Sequence, residues 1–477
     1  MAIPAFAATA AKTTEQTTIS TTGKKTAMKT VVYHGYEFQV PASWPVYRLD
    51  QHPTTCVRYD VHAVYLGTPG ANMQCPAGLV GRTQTVSVIP SATVAAGSGS
   101  TTVEQRQQPD GLGGVEVRGL PAVRGAVTQS PAEHELRVAL GAASLGATVL
   151  ATYGTDPAVV EQVLGTLRAA PARAAQTPQS GSFQALSRPS GERASVVEQS
   201  AAASPEKGAK SPEKAKSPKK SNTVVYKSWK GLPPNWPTQI VVPPPPPPPV
   251  IHPLNGFDAC TAPTLATMRV WRRQYAAVGV YIGGANSACA YGNLSAAWLR
   301  SAASMGWGML PTYVGPQAPC WGYQGTVINP GKAAAEGQAA GANAVADAKL
   351  FGLAPGSPVY YDMEAYDGGQ SCTNAVLTFL GAWDRAVSAK GYLTGVYSSQ
   401  DSGIDDMQAA AVAGTAGFTR PDAIWIALWD GQATLDDGIL DWPIGDREKQ
   451  YAGNLHGTVG GITLDIDQDV VAGPMAR

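Results

Sequence analysis

Between residues 252 and 477 the sequence alternates short apolar runs with helix-length stretches, and this alternation constrains the fold more than any other feature. Residues 279–283, 309–314, 359–364, 393–397 and 424–428 are rich in Val, Ile, Leu, Tyr and Trp, in runs of strand length. Helical stretches at 294–305, 332–351 and 374–390 lie between several of them. Parallel neighbours need a crossover, so strands that alternate with helices imply a parallel sheet. The stretch has the length of a compact TIM-like (β/α) barrel. Its last 50 or so residues are poor in helix and read as closely spaced strands, so the final barrel units are expected to be truncated.

The rest of the chain divides by composition. Residues 1–28 contain Ala5-Phe6-Ala7, a small-x-small pattern that reads as the remnant of an export signal or as a disordered terminus. Residues 29–170 are patterned as a small α+β domain. Two strands flank His34-Gly35, further strands are expected at 57–66, 85–89, 115–117 and 136–150, and Asp156-Pro157 opens a helix. One antiparallel sheet with a terminal helix on one face would satisfy that pattern. Residues 171–251 form a Pro/Lys-rich linker holding 16 of the 38 prolines, with seven in a row from Pro243 to Pro249. Such a run favours a stiff polyproline II rod. Upstream of it a degenerate Ser-Pro-Glu-Lys repeat begins at Ser204, Ser211 and Ser217. It reads as a solvated spacer, or as a basic tether to an anionic wall polymer.

Lys+Arg and Asp+Glu each number 35, a formal net charge of zero that argues against a generic nucleic-acid binder. The balance conceals a polarity: residues 171–251 carry a net charge of +7 and residues 252–477 a net charge of −8. No apolar run approaches the 18 or so residues of a spanning helix. No G-x-S-x-G elbow, phosphate loop or dinucleotide fingerprint is present, and no cofactor is expected.

Six cysteines divide evenly, with Cys56 and Cys75 in the first domain and Cys260, Cys289, Cys320 and Cys372 in the second. None stands in a C-x-x-C pair, so a zinc site is not expected, and no other metal is. Even counts in each domain fit disulfides formed after export. Cys56 pairs most simply with Cys75, and three connectivities remain open for the other four.

The chemistry-bearing residues are acidic and fall where barrel strands should end. Asp258 closes a short first strand. Asp362 and Glu364 stand two apart on an extended strand and so project to one face, and Asp465 and Asp467 do the same on a later strand. Strand carboxyl ends converge in a (β/α) barrel, so acids far apart in sequence meet at one mouth. Crowded carboxylates keep one member protonated near neutral pH while another is ionised, a split that serves glycosidic bond cleavage. Tyr313, Tyr397, Trp425, Trp429 and Tyr451 stand near strand ends and are candidates to stack on sugar rings.

Taken together, Gly256-Phe-Asp258, Tyr281-Ile-Gly283, Tyr361-Asp-Met-Glu364, Gly395-Val-Tyr397, Trp425 and Asp465-Ile-Asp467 resemble the family 25 glycoside hydrolases, the lysozyme-type muramidases. They resemble more closely the secreted actinobacterial glycoside-hydrolase-like domain of unknown function. The resemblance spans about residues 254–472. It implies Glu364 as general acid and Asp362 as the partnering carboxylate, which stabilises the cationic transition state or orients an N-acetyl group. Asp258 and Asp465 would complete the acidic floor. Residues 259–263, Ala-Cys-Thr-Ala-Pro, depart from the usual start of a family 25 muramidase, and the loop 315–330 suits the glycoside-hydrolase-like group.

The expectation is a secreted or cell-surface protein whose barrel acts on peptidoglycan or a related cell-wall glycan. Two alternatives use the same residues. In one, a non-catalytic module binds the glycan without cutting it. In the other, an inactive barrel serves surface or particle assembly, and oligomeric state is left open.

Overall fold

The computed structural model describes residues 27–91, 118–120, 125–140, 146–171, 223–225, 239–241, 252–439 and 441–477. The alanine-rich terminus, the Ser-Pro repeat, the proline run and the strand expected at 115–117 lie outside the described residues. The described residues of 1–177 and 251–477 form one compact unit; apart from it, β11 (Thr223–Val225) pairs with β12 (Gln239–Val241).

The amino-terminal domain is built on two sheets. β1 (Met28–Tyr33) and β2 (Tyr36–Pro41) form the expected hairpin. His34 and Gly35 occupy its turn with φ of 49° and 80°, the left-handed pair that a two-residue hairpin loop requires. β10 (Arg168–Ala169) adds to β2. The second sheet has the order β3 (Val46–Arg48), β4 (Ala63–Leu66), β5 (Thr85–Pro90), β9 (Ala147–Thr152), β8 (Glu135–Leu140), β7 (Gly125–Ser130), β6 (Arg118–Leu120). The run 136–150 is thus two strands. Helix α1 (Ala158–Gly165) follows Asp156, whose Oδ1 accepts the Ala158 N–H at 2.9 Å. The sheet is mixed rather than antiparallel, because β3, β4 and β5 run parallel. Parallel neighbours require crossovers, and the chain spends residues 49–62 and 67–84 on two long ones. Residues 57–62, expected as strand, belong to the first of these.

Residues 252–477 form a closed eight-stranded barrel with outer helices, as the alternation predicts. Its strands are β13 (Leu254–Asp258), β14 (Ala277–Gly283), β15 (Gly308–Tyr313), β16 (Pro358–Asp362), β17 (Leu393–Ser399), β18 (Ala423–Ala427), β19 (Arg447–Val459) and β20 (Ile462–Val471). Between them run α2 (Leu265–Trp271), α3 (Ala296–Ser304), α4 (Ala333–Leu350), α5 (Gln370–Ser388) and α6 (Asp405–Ala413). β13 to β19 are parallel in sequence, and β20 returns antiparallel to both β19 and β13, closing the barrel with a hairpin in place of helical units. Trp271, Trp307, Trp383, Phe257 and Phe379 are fully buried. Each such side chain contributes about 1.5–3 kcal/mol by leaving water. Inside the barrel, small residues make room for large ones. A Cβ on Gly279 would stand 2.5 Å from Asp258 Cβ and 2.9 Å from the Trp425 ring.

The two crossovers of the amino-terminal sheet dock on the barrel. The Tyr59 N–H donates to Ala288 O at 2.6 Å, and the Ala290 N–H to Val57 O at 3.1 Å. Buried Arg82 donates to Ser287 O at 2.7 Å and pairs with Glu135 at 3.1 Å. Three disulfides are present: Cys56–Cys75, Cys260–Cys289 and Cys320–Cys372, with Cα–Cα distances of 4.8, 5.7 and 6.0 Å. Two of the cross-links, Cys56–Cys75 and Cys260–Cys289, share one apolar cluster with Ala288, Met73 and Leu79.

Candidate functional site

The register of β13, β16 and β20 decides which acids meet at the barrel mouth. Asp258 ends β13 and pairs across the ladder with Asp467 of β20. Both are buried, 1% and 2% exposed. Asp362 ends β16 and is 2% exposed. Glu364, two residues beyond, is the only partly exposed member of the four. Its backbone N–H donates to Gln317 Oε1 at 2.8 Å, while Gln317 Nε2 donates to the Asp362 carbonyl at 2.8 Å. Gln317 therefore holds the Asp-x-Glu segment extended beyond the end of the strand. The intervening Met363 N–H donates to Tyr397 O at 3.0 Å, which continues the pairing with β17.

Gln450 of β19 ties the opposite side together. Its Nε2 donates to Asp258 Oδ2 at 2.9 Å and Asp467 Oδ2 at 3.4 Å. Its Oε1 accepts from Tyr397 Oη at 3.0 Å and Trp429 Nε1 at 2.8 Å. The β19 ladder shifts register between Gln450 and Leu455. In that irregular stretch Asn454 takes φ of 55° and its N–H donates to Asp467 Oδ1 at 2.6 Å. Tyr281 donates to Asp258 Oδ1 at 3.3 Å.

No cation stands among these acids in the hydrogen bonds and ion pairs of the described residues, so burial dominates their protonation. Burial raises Glu364 to about 7; the neighbouring Asp362 carboxyl pulls it down and Asp467 pushes it up. Asp362 lies well above the usual carboxylate range through burial first, then the charges of Glu364 and Asp258. One of its oxygens, Oδ1, lacks a hydrogen-bond partner. Burial and then Asp467 push Asp258 up, against the hydrogen bonds from Gln450 and Tyr281. Burial raises Asp467 to about 6 despite the Asn454 N–H. The cluster can therefore present a protonated carboxyl beside other carboxyls near neutral pH, which suits proton donation to a leaving oxygen.

Asp258, Asp362 and Glu364 come together, but Asp465 does not join them. Because Asp258 pairs with Asp467, Asp465 lies two residues further along β20, where it pairs with His456 in the β19–β20 hairpin and contacts its ring. Asp467 takes the place expected of Asp465. Asp469 lies one step deeper, with Oδ1 accepting from Trp425 Nε1 at 3.0 Å.

The aromatic candidates divide in the same way. Tyr313 and Trp425 are 1% and 2% exposed, and Tyr313 donates to Asn343 Oδ1 at 2.7 Å, so both are core rather than stacking surfaces. Tyr397 and Tyr451 are half-buried. Trp429 is 54% exposed. Its indole N–H is fixed by Gln450, and its ring lies so close over Gly453 that a Cβ there would fall 2.1 Å from it. Sequence reasoning missed Gln450 and Gln317. Gln450 follows Arg447, Glu448 and Lys449 in a run of four buried polar residues, which carries no alternation from which to read a face.

Buried carboxyl groups line the mouth of the closed barrel. Residues 269–471 match the family model of the Rv2525c-like, glycoside hydrolase-like domain, so the resemblance read from the sequence holds for the barrel. Asp258 precedes the matched stretch, and Asp362, Glu364 and Asp467 fall within it. Among solved structures, the chain is similar to an uncharacterized B. stearothermophilus protein at 19% identity, covering 46% of this chain and 95% of that one, with a TM-score of 0.32. It is similar to the Tat-secreted protein Rv2525c of Mycobacterium tuberculosis at 13% identity, covering 46% and 96%, TM-score 0.32. It is also similar to the modular autolysin LytC of Streptococcus pneumoniae at 14% identity, covering 46% of each chain, TM-score 0.31. No curated protein sequence matches the chain.

Proposed function

We propose that the barrel hydrolyses a glycosidic bond in peptidoglycan or a related cell-wall glycan. The observation that carries this reading is Glu364: raised to about 7, partly exposed, and set beside three buried acids. In the reaction, the Glu364 proton passes to the leaving glycosidic oxygen as the bond to the anomeric carbon breaks. Asp362 stabilises the positive charge that develops on the sugar, or orients its N-acetyl group. Water then delivers hydroxide to the anomeric carbon, and its proton restores Glu364. Asp258 and Asp467 form the acidic floor, and the pinned Trp429 offers a face on which an adjoining sugar stacks.

The setting we propose is extracellular. Three disulfides suit an oxidising compartment, and among the described residues no helix is long and apolar enough to cross a membrane. The net +7 of residues 171–251 would hold the protein to an anionic wall polymer.

Incubating purified cell walls with the protein should release reducing ends, and Glu364→Gln should abolish that release with the fold intact by circular dichroism. Release that persists in the variant would remove Glu364 from the role. Retention on peptidoglycan with no release by the wild type would instead favour a binding module.

A further inference from the structure

The amino-terminal domain reaches the acidic mouth through its second crossover. Cys75 is pinned to Cys56, and Gln74 bridges to Thr55 at the foot of the segment. Beyond the tip, Val80 bridges to Ser287, and the Gly81 N–H donates to Asn286 O at 2.9 Å. Arg82 then locks onto Ser287 O and Glu135. Between these anchors lies the tip, Pro76 to Leu79, whose Gly78 stands against Asp467 of β20. Gly78 there adopts φ of 60°, and a Cβ on it would stand 3.2 Å from Asp467 Oδ2. Leu79 packs against the apolar cluster that holds the Cys260–Cys289 disulfide, which begins two residues after Asp258.

Exposure at the mouth follows this layout. Asp258, Asp362 and Asp467 are 1%, 2% and 2% exposed, whereas Trp429, joined to Asp258 and Asp467 through Gln450, is 54% exposed and Glu364 is partly open. We propose that the crossover tip is the end wall of the cleft and that the amino-terminal domain sets specificity, admitting the end of a glycan chain from the Trp429 and Glu364 side. This rests on reading the mouth as a glycan site. A Cβ on Gly78 would already press on the Asp467 carboxylate, so the tip and β20 leave little room between them for a glycan chain to thread past.

The test replaces residues 76–79 by Gly-Gly in the full-length protein. A second variant, Pro76→Gly with Leu79→Gly, keeps the segment's length and serves if the shorter one fails to fold. Carboxyl labelling with carbodiimide and glycine ethyl ester, read by peptide mass spectrometry, reports the wall without any need for turnover. Labelling of Asp467 relative to Glu364 should rise at least fivefold in the folded variant. Unchanged labelling of Asp467 would overturn the wall. Product sizes from isolated glycan strands supply the specificity arm. Wild type should give short fragments from the outset, and the variant early long ones. Long fragments from the wild type would overturn the chain-end assignment. Changed labelling with no release by either protein would leave the wall standing and defeat the hydrolase reading instead.

Discussion

The β16 and β20 sides of the barrel mouth carry the same kind of residue in opposite settings. Glu364 sits past the end of β16, its backbone N–H held by Gln317 and its partly buried carboxyl set against that of Asp362. Asp467 lies within β20, with one oxygen taken by the Asn454 N–H and the other facing Gln450 and Gly78. A carboxyl that meets only another carboxyl can hand its proton to a ligand; one whose oxygens take N–H donors shapes the field around it. On the proposed hydrolase reading, that difference puts the proton donor on the β16 side and the positioning residues on the β20 side.

Substitutions can break that division. Glu364→Gln should have the largest effect, lowering release of reducing ends by at least about 10³-fold, below detection, within the range for loss of a general acid. Gln450→Leu would leave Asp258 and Asp467 without their shared donor and Trp429 without its acceptor. A loss of about 10²-fold in kcat is expected for such misplacement, with Glu364 still titrating, and an unchanged kcat would remove Gln450 from the positioning role. Trp429→Ala should raise KM about tenfold while kcat changes little, because a stacked ring is worth about 1–1.5 kcal/mol. Equal loss of kcat would place Trp429 nearer the reaction than the β20 assignment allows.

Stability should follow pH through the same acids. Glu364 at about 7 and Asp467 at about 6 lie above their unfolded values near 4. A carboxyl raised on folding adds stability that is full below the unfolded pKa and is lost as pH rises through the folded one. Melting temperature should therefore fall from pH 5 to pH 8, by about 5 °C for on the order of 2 kcal/mol in a domain of this size. Glu364→Gln should flatten part of the slope, and an opposite slope in the wild type would contradict the assigned burial. The smallest effect belongs to Asp465→Ala, which should leave turnover within twofold because Asp465 contacts exposed His456 on the hairpin.

Much of this was legible in the chain. The strand and helix alternation gives the barrel, and the Asp-x-Glu spacing puts Asp362 and Glu364 on one strand end. The choice between Asp465 and Asp467 was not legible, because it depends on the pairing of β20 with β13, a contact between the two ends of the barrel. Gln450 escaped notice because a buried amide among buried charges has no periodic signature. Nor does composition reveal the parallel crossovers of the amino-terminal sheet, which a hairpin reading would make antiparallel. Those crossovers are the segments that meet the barrel.

The central claim is that Glu364 holds a proton near neutral pH and gives it up at the mouth. Carbon-13 NMR of carboxyl-labelled protein, with Glu364→Gln identifying the resonance, tests it without any substrate. A midpoint at about 7 for Glu364 is the expected result. A midpoint near 4.5, the ordinary value for a glutamate, would contradict the account.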